Sequence, residues 1–202
     1  MGMSVALVTL NDANIRRVLE DPPLVWQVIA PGDPAAYQSA REQEGRRAPV
    51  FRAFNRIPIA EGAPALEMAG TEGISTDLDQ AWHGIHYLLT GTAWDGDLPR
   101  GFLVSGGTPA GHVDAGYGPA RVLTARETRA VHEALGALSD EELAARFDPV
   151  DMRAKQIYPT RIWSDDGGEE DTLGYLLGHV GRLRSFLERA AQANVGIVIY
   201  VS

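Results

Sequence analysis

The chain has 202 residues, 45% apolar and 22% charged; that is enough for one good core or two small ones and excludes disorder of the whole chain. There is no cysteine, which excludes disulfides, thiolate nucleophiles and cysteine metal sites together and fits a reducing compartment. The net charge of −9, from 27 acids and 18 bases, argues against a phosphate-neutralising face, so no nucleic-acid partner is expected.

The opening "MGMSVALVTLNDAN" has no basic stretch before its apolar run, so no secretory signal is expected. The longest apolar runs, at 5–8 and 195–201, fall far short of the roughly 18–20 residues a membrane helix needs. A soluble cytoplasmic protein without a membrane partner is the expectation. The acidity serves solubility, and it also suits docking of a basic partner.

In chain order, "MSVALVTL" reads as a strand. Asn11 reads as the N-cap of a helix to Glu20, with Ala13, Ile15, Val18 and Leu19 at helical spacing. "PLVWQVIA" reads as a second helix opened by proline. A polar helix is expected from Asp33. The region 31–73 is otherwise loop-rich, and long loops are often functional.

A helix over 77–90 follows, closed by Gly91. "FLVSGG" reads as a strand and "TPAGHVDAGYGPAR" as a glycine-rich loop. Thr124 with Glu127 and Ser139 with Glu142 have capping-box spacing, opening a helix over 125–138 and a shorter one to about Phe147. Asp148-Pro149 starts another turn or two of helix, and "IYPTRIW" reads as extended. Acids at 165–171 precede the longest helix, about 170–193, where the dipole favours them. Its expected buried stripe is Leu173, Leu176, Leu177, Val180, Leu183 and Leu187. "GIVIYV" is a nearly continuous apolar strand, as expected inside a sheet. This order, without regular βαβ alternation, implies an α+β fold: one domain over 1–202, with several helices on a small mixed sheet.

The most informative stretch is "DLDQAWHGIHYLLTG". At about 100° per residue, Leu78, Ala81, Trp82, Ile85, Leu88 and Leu89 form an apolar face. Asp79, His83, His86 and Thr90 form a second stripe, from about 80° to 140° on the same wheel. Spacings of three and four bring these side chains within reach of one another. Two imidazoles and an orienting carboxylate could carry acid/base chemistry. The same residues could equally edge a buried helix, with Thr76 or Asp77 as cap. This is not H-E-x-x-H, no third ligand has a matching spacing, and no metal is expected.

The glycines at 106–118 fail the phosphate-loop pattern, because no lysine follows. Arg121, beside these turns, could bind an anion or pair with an acid. Ser105 lacks a nucleophile elbow. Trp94, Tyr158 and Trp163 sit in loops or extended segments, where exposed aromatics mark contact surfaces.

The series "TDLDQAWHGIHYLLTG", "GYGPARVLT", "ARFDPVDM" with "IYP", and a long helix before "IVIYVS" resembles the YfbM-like family, a bacterial domain of unknown function (DUF1877). The resemblance runs in order across nearly the whole chain. It implies a single α+β domain and brings no activity, cofactor or catalytic residues. It directs attention to Trp82, His83, His86, Tyr117 and Arg121.

Two functional expectations follow. The first is a non-catalytic module binding a small ligand or protein partner, at a surface beside helix 77–90 and the 106–121 loop. Trp82, His83, His86, Thr90, Tyr117 and Arg121 are its candidate contacts. The second is a hydrolase or transferase using His83 or His86 as acid/base, with Asp79 as orienter. Neither requires a cofactor, and the sequence leaves the oligomeric state open.

Overall fold

The computed structural model describes residues 2–47, 65–163 and 171–202. Strand β1, Val5–Leu10, is buried along its whole length. Helix α1, Asp12–Glu20, starts where the Asn11 side chain accepts from the Asn14 amide. The expected second helix is split. A 3₁₀ turn over Pro22–Val25 leads into the short α2, Trp26–Ile29. Helix α3, Pro34–Arg47, opens on Asp33, whose carboxylate accepts from the Ala35 and Ala36 amides.

Residues 48–64, much of the expected loop-rich region, lie outside the described residues. The returning segment is pinned by Glu72. Its carboxylate accepts from the Asn11 and Ala69 amides and from the Asn11 and Asn14 side chains, all at 2.8–2.9 Å. Burial alone would raise the Glu72 pKa, and these four donors together hold it below the usual range.

Strand β2, Ser75–Asp77, precedes a 3₁₀ turn over Asp79–Ala81 and helix α4, Trp82–Thr90. Strands β3, Thr108–Asp114, and β4, Pro119–Leu123, come next. Helices α5, Ala125–Gly136, and α6, Asp140–Ala144, each open on the expected capping box. Helix α7, Pro149–Ala154, is capped by Asp148. Helix α8, Thr172–Gln192, is capped by Asp171, and β5, Gly196–Val201, closes the order.

The fold is α+β, with a five-stranded sheet in the order β2-β1-β5-β4-β3. Every pairing is antiparallel, where a mixed sheet was expected. Among the described residues, no strand returns to its neighbour through a parallel crossover. Strand β5 sits at the centre, paired with β1 over six residues.

Both faces of the sheet are covered. Val5, Leu7, Leu123, Ile197 and Ile199 join a core with α4, α5 and α8. Val8, Leu10, Val122 and Val198 join a second core with α1, the Pro22–Val25 turn, α2 and α3. Two covered faces explain why β1 and β5 read as nearly continuous apolar runs.

Three segments differ from expectation. "FLVSGG" is a run of turns, and the strand is the following "TPAGHVD". Phe102 and Leu103 are buried core side chains on a turn, which apolarity alone does not distinguish from a strand. Strand β3 tolerates Pro109 because it is an edge strand, and Gly111, at φ +61, marks an irregular register. "IYPTRIW" is bent, and Trp163 is fully buried with its indole N–H on the Ile157 carbonyl at 2.7 Å. On α8, Leu173 and Leu177 are only partly buried; Phe186, His179 and Ala190 fill the stripe instead.

Candidate functional site

Helix α4 is not amphipathic in place. Every residue from Trp82 to Leu89 is buried. The helix lies between the sheet, α8 and the loop at 92–106, so its polar stripe faces protein. The wheel also fails at its start. Residues 79–81 form a 3₁₀ turn and Asp79 has φ +47, so Asp79 does not sit one α-turn before His83. Neither Thr76 nor Asp77 caps α4; the Asp77 carboxylate accepts from the Asp79 amide instead.

Asp79 accordingly does not orient His83. It accepts from the Tyr175 hydroxyl on α8 at 3.1 Å. His83 is fully buried, with both ring nitrogens engaged. Nδ1 accepts from the Tyr158 amide at 2.9 Å, and Nε2–H donates to the Ala93 carbonyl at 2.6 Å. These partners fix one neutral tautomer. Burial lowers the His83 pKa, against a smaller opposing effect of the Ala93 carbonyl.

His86 is also fully buried, and neither ring nitrogen has a hydrogen-bond partner among the described residues. Burial, then the adjacent His83, pulls its pKa down to about 4. Arg121 adds to the depression. The Asp95 backbone opposes it without reaching hydrogen-bonding geometry. Thr90 donates to the His86 carbonyl at 2.8 Å, back along the helix.

Arg121 is committed to backbone carbonyls. Its guanidinium donates to the Phe102 carbonyl at 2.9 Å, the Leu103 carbonyl at 2.6 Å and the Gly106 carbonyl. Burial lowers its pKa to about 10. The arginine thus holds the 102–106 turn. Ser105 is likewise spent, donating to the Gly96 carbonyl. The structure brings His83 and His86 together but places neither on an accessible surface.

What reaches the surface is Trp94. The residue is 55% exposed, and its ring centre lies 4.4 Å from that of His83 and 6.3 Å from that of Trp82. Trp82 stacks on His83 at 4.8 Å and on Tyr158 at 6.2 Å, and its indole donates to the Met3 carbonyl. Met3 N in turn donates to the Tyr158 hydroxyl. Tyr117, 60% exposed on the β3–β4 turn, belongs to the same end of the sheet. Its amide donates to the Val201 carbonyl, and Ser202 pairs with Ser4. Tyr117 thus sits where β5 finishes, and Trp94 connects through Trp82 to Met3, just before β1. The sequence marks Trp94 only as a loop aromatic, because exposure depends on what the rest of the chain covers.

A cleft of 630 Å³ lies elsewhere, beside α2 and the start of α3. Gln27, Asp33, Tyr37, Gln38, Leu66 and Met68 are among its walls. The Tyr37 hydroxyl donates to Asp21, which also pairs with Arg41 at 3.1 Å. Among the described residues, no group of three or more His, Asp or Glu could hold a metal ion, and no helix is long and apolar enough to cross a membrane.

A family model, described as a domain of unknown function (DUF1877), matches residues 1–200. The chain belongs to this family. A solved structure of the same fold is that of a protein of unknown function, YfbM, from Escherichia coli. It is 16% identical, with 98% of this chain and 99% of that chain covered at a TM-score of 0.63. None of the curated proteins compared with the chain matches it. The family match carries no activity, so the geometry alone must supply a functional reading.

Proposed function

We propose that the chain is a non-catalytic binding module whose contact face is the sheet end carrying Trp94 and Tyr117. The observation behind this reading is Trp94 itself: a large aromatic more than half exposed, yet packed at a tilt against a histidine fixed by two hydrogen bonds. Tryptophan and tyrosine dominate binding hot spots, and a pre-fixed side chain loses little freedom on binding. The sealed imidazoles support the platform and offer a substrate nothing to touch. The test is capture from lysate of the source cell, with the wild-type chain, Trp94→Ala and a remote exposed control, Val150→Ala. A species retained by the wild type and the control but lost by Trp94→Ala is the expected result. Identical capture by all three contradicts the reading.

The cleft supports a second reading, a small-molecule site. Its volume lies within the range of about 300–1,000 Å³ typical of ligand pockets. Gln38→Trp would fill the cleft from its exposed rim. A fragment screen by NMR should perturb the cleft residues in the wild type and not in this variant. Equal perturbation in both, or none in the wild type, removes the reading.

A further inference from the structure

We propose that the Trp94 platform receives a basic side chain, lysine or arginine, from a partner polypeptide. This rests on the contact-face reading above and names the chemistry of its occupant.

The platform is held from beneath. His83 backs the indole, and both His83 nitrogens are tied to backbone groups. Trp82 supports a second edge and is itself tied to Met3. The loop bearing Trp94 is closed by Thr92 on the Asp95 carbonyl and by Ser105 on the Gly96 carbonyl.

An indole face carries negative electrostatic potential and is the best aromatic partner for a cation. No arginine or lysine lies over Trp94 among the described residues. The ring directly behind it is a buried imidazole whose two hydrogen bonds fix a neutral tautomer, so His83 itself places no positive charge against the indole.

The loop adds the matching charge. Asp95 and Asp97, one and three residues beyond Trp94, are both exposed, and neither is in an ion pair among the described residues. Arg100 is the single base between 92 and 101, so acids outnumber bases there. The net charge of −9 steers a basic segment toward the molecule and an acidic one away. A carboxylate-bearing partner would meet repulsion from Asp95 and Asp97, and a purely apolar one would leave both unused.

The experiment titrates the full chain, at low ionic strength, with three acetylated amidated pentapeptides: glycine alternating with lysine, with glutamine or with glutamate. Tetramethylammonium is a fourth probe. The readout is the Trp94 indole N–H and the amides of residues 92–98. The lysine peptide should shift these signals saturably, and the glutamine and glutamate peptides should not. Added salt should weaken the shift. Trp94→Leu keeps an apolar side chain but removes the π face, and should weaken lysine-peptide binding about threefold to fivefold. Asp95→Asn with Asp97→Asn should weaken it further.

Equal binding of the glutamine peptide overturns the cation chemistry and leaves the contact face standing. No shift by the lysine peptide at millimolar concentration also overturns it, as does a response to tetramethylammonium alone, which marks a free-cation site. The contact-face reading fails separately, when capture does not depend on Trp94.

Discussion

At the scale of the residue, two adjacent buried histidines should behave oppositely when removed. His83 satisfies the Tyr158 amide and the Ala93 carbonyl, so His83→Leu strands two half-buried backbone groups. Each costs about 1–3 kcal/mol. His86 satisfies nothing among the described residues, so His86→Leu should be neutral or stabilising in urea unfolding. The pH dependence follows from the same burial. His86 falls from 6.5 to about 4 in the folded chain. The unfolded chain therefore binds the proton first as pH drops. The His86 contribution to stability is complete above pH 6.5 and is lost as pH falls toward about 4. His83 and His179 are lowered too, mainly by burial, and add in the same direction. His86→Leu should flatten part of this slope in urea melts at successive pH values; an unchanged slope would exclude His86 as a source. The stripe of imidazoles was legible in the sequence. Its partners were not, because Ala93, Tyr158 and Arg121 reach it only through the fold.

At the scale of the element, α4 depends on a glycine. A Cβ on Gly84 would stand 2.7 Å from Leu176 Cδ2 and from Trp163 Cη2. Alanine favours isolated helices, but here it overpacks the contact with α8. Gly84→Ala should destabilise by about 1–3 kcal/mol in chemical denaturation. A stabilised variant would mean that α4 and α8 are further apart. Glu72 is the equivalent device for the segment at 65–74. Glu72→Gln keeps the shape but loses the charge and some acceptor capacity toward four donors. It should cost about 1.5–3 kcal/mol, with faster amide exchange at Ala69 as the local sign. Because the Glu72 pKa is lowered on folding, its contribution is present above the ordinary carboxylate range and is lost as pH falls through the folded value. Caps at Asn11, Thr124, Ser139 and Asp148 were readable because each acts within a few residues. Strand β3 was not, since proline and glycine hide an edge strand that its neighbours define.

At the scale of the molecule, the first and last strands form the centre of the sheet. Pairing across nearly the whole chain is slow to close and then joins both cores. Deleting residues 196–202 removes Ile197, Val198 and Ile199, all fully buried, and should abolish cooperative unfolding. A sharp melt from the shortened chain would contradict this topology. The central strand was legible in "GIVIYV" because two covered faces leave no polar alternation. The proposed contact face was not, because it joins a loop, a hairpin turn and the ends of β1 and β5, all distant in sequence. In the proposed reading the buried histidines are scaffold beneath an exposed tryptophan. The most direct test is an NMR titration of the five histidine side chains in the folded protein. His83 should appear as the Nε2–H tautomer with its pKa below the ordinary 6.5, and His86 should stay neutral and unshifted from pH 8 down to roughly pH 6. Ordinary titration of either ring in that window, in the folded chain, would show it open to solvent and contradict the account.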